Sequence, residues 1–571
     1  MNRNFFINRL LKARARFAER LAQRWKHGFY LYLAGLFSVF AVLDTTVLHF
    51  TAEMRQSAFD AMVRYRIVVP KPDPDIVIVD INEASLAALA KDYGRWPWPR
   101  QVLGEFVEQI EKQQPKAVVF DILFSDADVY NPDSDAYFDA AIAATRNTYF
   151  PMLRLDPASD KLSQIKPALI PGAKPLPGAQ PDAEATLALV LPHFQSALDG
   201  GRLGLHNIYP DGDGVARNYN TYRADYGWAL PSLPARIARE LGWAVPDAQQ
   251  VLLNWRGKPF TYHYASFSDV FADMGSKDKK RPQDEFRNKI VIIGSTAPSL
   301  FDIKTTPMDR MFPGVEILAT AIDNFKHGDA LRFPEARVAY LLLTLAIVWL
   351  TAWSFYRNTG RDKIDRVFGL SQFILIGISY ASINFTTTYI NLTGPVTVGM
   401  AFFSLARMYA MATGKALEQS MVRAAAARSG ELQATLLLVR LDGERNVIRP
   451  ATLEKIRYAL GKAGQAAKSV EALGGGQKGL WGLLENTIAV SWVAEAQDAG
   501  TQEAVRRDLD TVLAALPTVL RQHLGQPDNA ASHFVHYGRI AGGSAARAGW
   551  RAIFAEALLE WNKQEETRRM G

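Results

Sequence analysis

Four stretches of this chain are almost free of charge over the width of a lipid bilayer, and nothing else in its 571 residues limits its fold as strongly. The first, GFYLYLAGLFSVFAVLDTTVLH (28–49), carries only Asp44, and about 20 apolar residues suffice to cross the hydrocarbon core. The second is VAYLLLTLAIVWLTAWSFY (338–356). From Val367 to Ala406 there is no Asp, Glu, Lys or Arg. That run is too long for one span and right for two (367–390 and 392–412), broken near NLTGP, where Gly394 and Pro395 supply a turn. A mean hydropathy of −0.07 averages these stretches with ordinary water-soluble sequence. The chain is therefore expected to be a membrane protein with large water-exposed parts.

Charge sets the orientation. The head, residues 1–27, holds Arg3, Arg9, Lys12, Arg14, Arg16, Arg20, Arg24 and Lys26 against the single acid Glu19, and RNTGRDKIDR (357–366) is also basic. Basic flanks stay on the cytoplasmic side, which leaves residues 51–330 outside the inner membrane and 413–571 inside. A long head and no small-residue cleavage site favour an uncleaved anchor over a signal peptide. The net charge of +7 is read as membrane orientation, so no nucleic-acid partner is expected. Asp44 either faces the helix bundle as a functional group or is solvated at the interface. The absence of cysteine fits an oxidising compartment and excludes thiolate catalysis and Cys-ligated metal.

The outer region reads as α/β with a parallel sheet core. A helical run, MRQSAFDAMVRYRI, precedes PDPDIVIVDI, a buried strand ending at Asp80. EASLAALAKDYG follows as a short helix. PRQVLGEFVEQIEKQQ then aligns Val102, Phe106, Val107 and Ile110 on one helical face, and KAVVFDILF is a second strand ending near Asp121. Strand, helix, strand implies a right-handed crossover. A third strand, NKIVIIGSTA (288–297), leads to the helix PGVEILATAIDNF. Between them lie IYPDGDGVAR, rich in turn residues, and a Pro-rich stretch, 156–182, expected to be a surface loop.

Ligand crevices of open parallel sheets lie beyond the carboxyl ends of the strands. Those ends carry Asp80, Glu83, Asp121, Asp126, Asp128, Gly294 and Asp302. Such a crevice suits a cation, an amine or sugar hydroxyls; the alternative is that the acids cap helices or pair with Arg100 and Arg217. No metal site or cofactor is expected. Between the first strand and the second helix sits GRWPWPR (94–100), where two fixed φ angles and two indoles make a rigid plug. Trp96, Trp98 and Arg100 form either a ligand wall or an aromatic lid on the core.

The series PDPDIVIVDI, GRWPWPR, AVVFDILFSDAD, PDGDGVAR, KIVIIGSTA, FDIKTTP and PGVEILATAI, in this order, resembles the type-two CHASE family of extracytoplasmic sensory domains over residues 51–330. The resemblance implies sensing of an external cue, no agreed ligand, and one span before and three after the domain. The strand-end crevice and the plug make Trp96, Trp98, Arg100, Asp80, Glu83, Asp121 and Asp302 the ligand-binding candidates, and GRWPWPR resembles a family signature, which implies a structural or signal-transmitting turn.

Past the fourth span, residues 413–430 read as an Ala-rich helical linker that continues the membrane helix, and a homodimer is the expected state. Residues 431–571 read as a β-α-β-β-α-β, ferredoxin-like domain: ATLLLVRLDG, a helix over 449–473, a Gly-rich turn and hairpin from 474 to 495, a helix over 504–524 and HFVHYGRIAGG. That order resembles the class III nucleotide cyclases over 430–560. With Gly443 aligned to the family's glycine, its metal-binding aspartate falls on Arg440, its hairpin pair on Leu484 and Glu485, and its later glycine on Gly543. Divalent-ion chemistry needs two carboxylates, and Arg440 replaces one with a cation, so no catalytic residue is assigned and the domain reads as a degenerate cyclase. GGGQKG lacks the phosphate-loop pattern, and there is no HExxH or GxSxG. The expected function is an inner-membrane sensor that signals to a cytoplasmic or membrane protein partner by contact. An active cyclase with an unusual metal site and an envelope scaffold are the alternatives.

Overall fold

The computed structural model describes residues 28–334, 336–357, 361–441, 448, 450–473, 486–524 and 531–570. These fall into two compact units, one made of Thr51–Ala336 with Ile376–Thr393 and the other of the remaining residues. The basic head, Gly443, Leu484, Glu485 and the GGGQKG run lie outside the described residues.

Helix α1 (Gly28–Leu48) is long and apolar enough to cross a membrane. Its last turn is π-wound, and the Asp44 carbonyl closes it by accepting the His49 N–H at 3.0 Å. Asp44 is buried against protein atoms, which favours the bundle-facing alternative.

The soluble unit opens with α2 (Thr51–Arg64) and β1 (Ile76–Asp80), whose five residues are all buried. Helix α3 (Glu83–Tyr93) starts on Asn82, whose side chain accepts the Ser85 N–H. Helix α4 (Arg100–Glu111) buries Val102, Phe106, Val107 and Ile110, the face read from the sequence. Next come β2 (Ala117–Phe120), α5 (Pro132–Ala143), β3 (Thr148–Arg154), β4 (Leu189–Val190), β5 (Leu203–Leu205), α6 (Leu233–Glu240), β6 (His263–Ser266), α7 (Phe267–Gly275), β7 (Ile290–Gly294) and α8 (Gly314–His327). The strands order as β6-β1-β7-β2-β3-β5, all parallel, with β4 antiparallel on β3. Late in the chain, β7 slots between β1 and β2, so the sheet's centre is complete only after residue 294. Alternate residues serve opposite faces. Val77, Val79 and Ile293 pack with Phe106 and Phe267, while Ile76, Ile78 and Ile292 pack with Ile237, Leu318 and Ile322.

The Pro-rich stretch is more than a surface loop. Arg154, at the end of β3, grips buried Asp160 with two hydrogen bonds of 2.7 and 2.6 Å, and Ile170 joins the core. A buried arginine at a strand end thereby pins a segment whose composition suggests solvent exposure.

Helices α9 (Arg337–Tyr356) and α10 (Arg361–Phe385) follow, and Arg337–Tyr356 and Lys363–Phe385 also have bilayer length and hydropathy. The expected fourth span lies in α11 (Thr393–Ala426), which is not among the three helices that qualify among the described residues. Within it Arg407 pairs with Asp365 at 2.6 Å. Gly394 and Pro395 do not form the hairpin turn; they lie in the first turn of α11, where a proline costs no hydrogen bond. The chain reverses over 386–392 instead, where Ser382 and Ser379 hydroxyls accept the N–H groups of Ile390 and Leu392 at 3.0 Å.

In the C-terminal region, β8 (Glu431–Leu441), α12 (Pro450–Lys462), β9 (Ser469–Leu473), β10 (Thr487–Glu495), α13 (Ala499–Leu524), β11 (Ala531–Ala541) and α14 (Ala546–Met570) build an antiparallel sheet ordered β9-β10-β8-β11. The helix expected through residue 473 stops at Lys462. Gly464 has φ +80°, and Asp508 of α13 lies where a side chain on it would point. The Asp508 carboxylate also accepts the N–H groups of Gln465 and Ala466, so the chain turns and Ser469–Leu473 becomes a strand. Leu437, Val439 and Leu441 face α12 and α13, and Leu432, Ala434, Leu436 and Leu438 face α14 together with Ala425 at the end of α11.

Candidate functional site

Two of the strand-end acids serve as clamps. Asp80 closes β1 and accepts from Thr296, at 2.8 Å from its N–H and 2.6 Å from its hydroxyl, which fixes the turn after β7. Burial pushes this carboxyl up, and the Thr296 bonds offset part of that. Exposed Glu83 accepts the Ser299 N–H at 3.0 Å and is held low by Ser299. Asp126 and Asp128 stay on an exposed loop, where Asp128 accepts the N–H groups of Tyr130 and Asn131. Asp80, Glu83 and Asp128 thus hold backbone N–H groups of turns, whereas Asp126 accepts the Ser125 hydroxyl.

Asp121 and Asp302 behave differently. Asp121 follows β2 and receives His206 Nε2 at 2.6 Å, His206 being the residue after β5. Its other oxygen, Oδ2, is buried and finds no hydrogen-bond partner among the described residues. The Asp121 side chain is 4% exposed and that of His206 15%. Asp302 enters from the loop after β7, and its carbonyl accepts the Gly314 N–H that opens α8 at 3.0 Å. A Cβ on Gly314 would lie 2.1 Å from Asp302 Oδ2, so any larger residue there would displace that carboxylate. Lys304 Nζ is 3.4 Å from Asp302, and the Tyr219 hydroxyl 3.3 Å from His206 Nδ1.

The charges are coupled. Burial alone would lower the His206 pKa, but the Asp121 carboxylate outweighs it and holds the imidazole above its ordinary value. Burial and the nearby Asp121 charge both push Asp302 up. Burial and then Asp121 also push the Tyr219 hydroxyl up. Two carboxylates, an imidazole, a phenol and a lysine thus meet at the carboxyl ends of β2, β5 and β7, with one buried oxygen unused. This arrangement can hold a shared proton or meet a donor such as an amine or hydroxyl. Sequence reasoning named Asp121 and Asp302 and missed His206, Tyr219 and Lys304. The signal was faint: LGLHN is a three-residue strand followed by a polar residue, far along the chain from β2.

The plug is a lid on the core. Trp98 is 1% exposed, its ring centroid 5.3 Å from that of Phe267 and 4.9 Å from that of Trp96. Arg100 does not meet a strand-end acid; its guanidinium lies 5.4 Å over the Phe124 ring. Arg217 also leaves the strand ends alone. It binds Asp60 of α2 through two bonds of 2.7 Å, and Asp211 and Asp213 at 2.9 and 2.6 Å. These carboxylates outweigh burial and raise its pKa. A third group, Asp73, Asp323 and His327, has the spacing for a metal ion, but Lys326 already sits 2.6 Å from Asp73 and Arg256 2.6 Å from Asp323. Those cations repel a second one.

A family model for the CHASE2 domain matches residues 34–357. The chain belongs to the CHASE2 family. CHASE2 domains are extracytoplasmic sensory domains, so the α/β unit is a sensory domain. The match begins within α1 and ends just past α9, so it takes in the helices on either side of the CHASE2 fold. No curated protein matches the chain significantly.

In the C-terminal region, Arg440 lies near the end of β8 with its guanidinium 4.6 Å over the Trp561 ring of α14. It alternates onto the same sheet face as Leu436 and Leu438, the face that α14 covers. Gly543, φ +67°, follows β11 and donates its N–H to the Arg428 carbonyl at 2.9 Å. It anchors the root of α11.

Proposed function

We propose that the protein is a bacterial inner-membrane sensor with both termini in the cytoplasm, whose CHASE2 domain meets an extracytoplasmic ligand or protein at the Asp121–His206–Asp302 cluster. The signal passes through the membrane helices, with α11 making the fourth crossing, to a ferredoxin-like domain that acts on a cytoplasmic or membrane partner by contact, as a homodimer. The observation that carries this reading is α11 itself: 34 residues without a break, about 51 Å at 1.5 Å per residue, ending four residues before β8. Gly542 and Gly543 N–H groups bond the Gly430 and Arg428 carbonyls, which fastens that end to β11.

A non-catalytic C-terminal domain is supported by the face on which Arg440 lies. The position matching the cyclase aspartate carries a cation stacked on an indole, and Trp550, Phe554 and Trp561 fill the same side of the sheet. The test is turnover of ATP or GTP by the full-length protein in detergent with manganese. None is expected; turnover that Arg440→Asp abolishes would replace this reading with an active cyclase. Stable co-purification of envelope proteins, with no thermal shift from any metabolite, would replace it with a scaffold.

A further inference from the structure

The CHASE2 unit has an edge of exposed apolar residues. Tyr65, Ile67, Val68 and Val69, just after α2, are 72%, 77%, 46% and 48% exposed, and Phe333 and Phe385 are 45% and 73% exposed. Four consecutive exposed apolar residues interrupted only by Arg66 are an aggregation hazard on a water-facing surface.

Hydrogen bonds fix where this edge lies. The Tyr380 hydroxyl donates to the Tyr65 carbonyl at 2.6 Å, Arg66 donates to the Ile383 carbonyl at 2.6 Å, and the Asn384 side-chain oxygen accepts the N–H groups of Ile67 and Val68 at 2.8 and 3.0 Å. On the other side of the edge, Arg332 N–H donates to the Thr387 carbonyl and Tyr389 N–H to the Arg332 carbonyl, at 2.7 and 2.9 Å. One segment is thus held against the last turns of α10, and a second against the chain just past its end. The span-length part of α10, Lys363–Phe385, is 23 residues, about 35 Å, so its end reaches the boundary of a hydrocarbon core about 30 Å thick.

From this juxtaposition we infer that Tyr65, Ile67, Val68, Val69, Phe333 and Phe385 form a membrane-interface belt, seated at the boundary between lipid headgroups and acyl chains. The inference rests on the reading of α10 as a transmembrane span. Aromatic rings and basic residues are the side chains suited to that depth, and exposed Lys71, Arg332 and Arg337 flank the belt. A CHASE2 unit whose edge is seated in lipid cannot tilt freely, so the bilayer holds the sensory domain's pose.

The chain has no cysteine, so single labels need no background removal. Full-length Ile67→Cys, Val69→Cys, Phe373→Cys and Tyr130→Cys carry a nitroxide in vesicles of phosphatidylcholine and phosphatidylglycerol, and power saturation compares collisions with oxygen and with a water-soluble nickel complex. Phe373 lies mid-span on α10 and Tyr130 is 91% exposed on a loop. Labels at 67 and 69 are expected to show a severalfold higher oxygen-to-nickel ratio than 130, below that of 373. If 67 and 69 match 130 while 373 is deep, the belt is overturned and the span stands. Should 373 also match 130, the span reading fails and the belt with it. Strong spin–spin broadening at 67 without oxygen preference would assign the edge to a second copy and overturn the lipid proposal.

Discussion

The two soluble regions solve the same problem, covering both faces of a sheet, with opposite consequences for chemistry. In the CHASE2 domain the parallel strands all end at one edge, and that edge gathers Asp121, His206 and Asp302 from three distant parts of the chain. Antiparallel strands have no common carboxyl edge, and in the C-terminal sheet α14 lies on the face that carries Arg440. The first keeps an unused carboxylate oxygen in its interior; the second stacks its odd charge on an aromatic ring. A sheet's direction thus decides whether polar groups are concentrated or dispersed.

The contrast is most easily broken at its strongest ion cluster. Arg217→Ala leaves Asp60, Asp211 and Asp213 converging on an empty site, and the CHASE2 domain should lose about 3–5 kcal/mol, read as a lower unfolding midpoint with α2 losing hydrogen-exchange protection first. On the other side, Trp561→Ala should cost the C-terminal domain about 3 kcal/mol and leave exchange in the CHASE2 domain unchanged.

The pH response should also separate the regions. A raised His206 pKa means its contribution is complete below the unfolded value of 6.5 and is lost as pH rises through the folded one, and raised Asp302 acts in the same direction from 3.8 upward. Asp508 works oppositely. Burial would raise it, but Lys468 at 2.7 Å, the Ala466 N–H and the Trp492 indole hold it low, so its contribution is present above 3.8 and lost only as pH falls through the folded value. Between pH 6 and 8 the CHASE2 domain should weaken while the C-terminal domain stays level, and His206→Asn should flatten the CHASE2 slope. Equal slopes would erase the distinction. The smallest effect is expected from Arg440→Gln, about 0.5–1 kcal/mol from the lost ring contact.

Local periodicity made much of this legible. The β-branched runs at 76–80 and 290–294 are buried strands, and the apolar face of α4 is the one its spacing marks. Three apolar stretches have the helix length that their composition implies. The sensory family was readable because its motifs recur in order. What periodicity does not encode is convergence: His206 meets Asp121 because β5 pairs with β3 and β2 pairs with β3, a consequence of sheet order. The strand Ser469–Leu473 was hidden for a related reason, since its turn depends on Asp508, 44 residues beyond Gly464.

Helix α11 carries one more consequence. A continuous α-helix turns about 100° per residue, so adding or removing a single residue within it changes the phase at which β8 departs by that angle, while leaving every contact of the CHASE2 crevice intact. If the proposed signalling route through α11 holds, homologous chains that differ by one residue in this rod would meet the same stimulus with the C-terminal sheet turned by that angle.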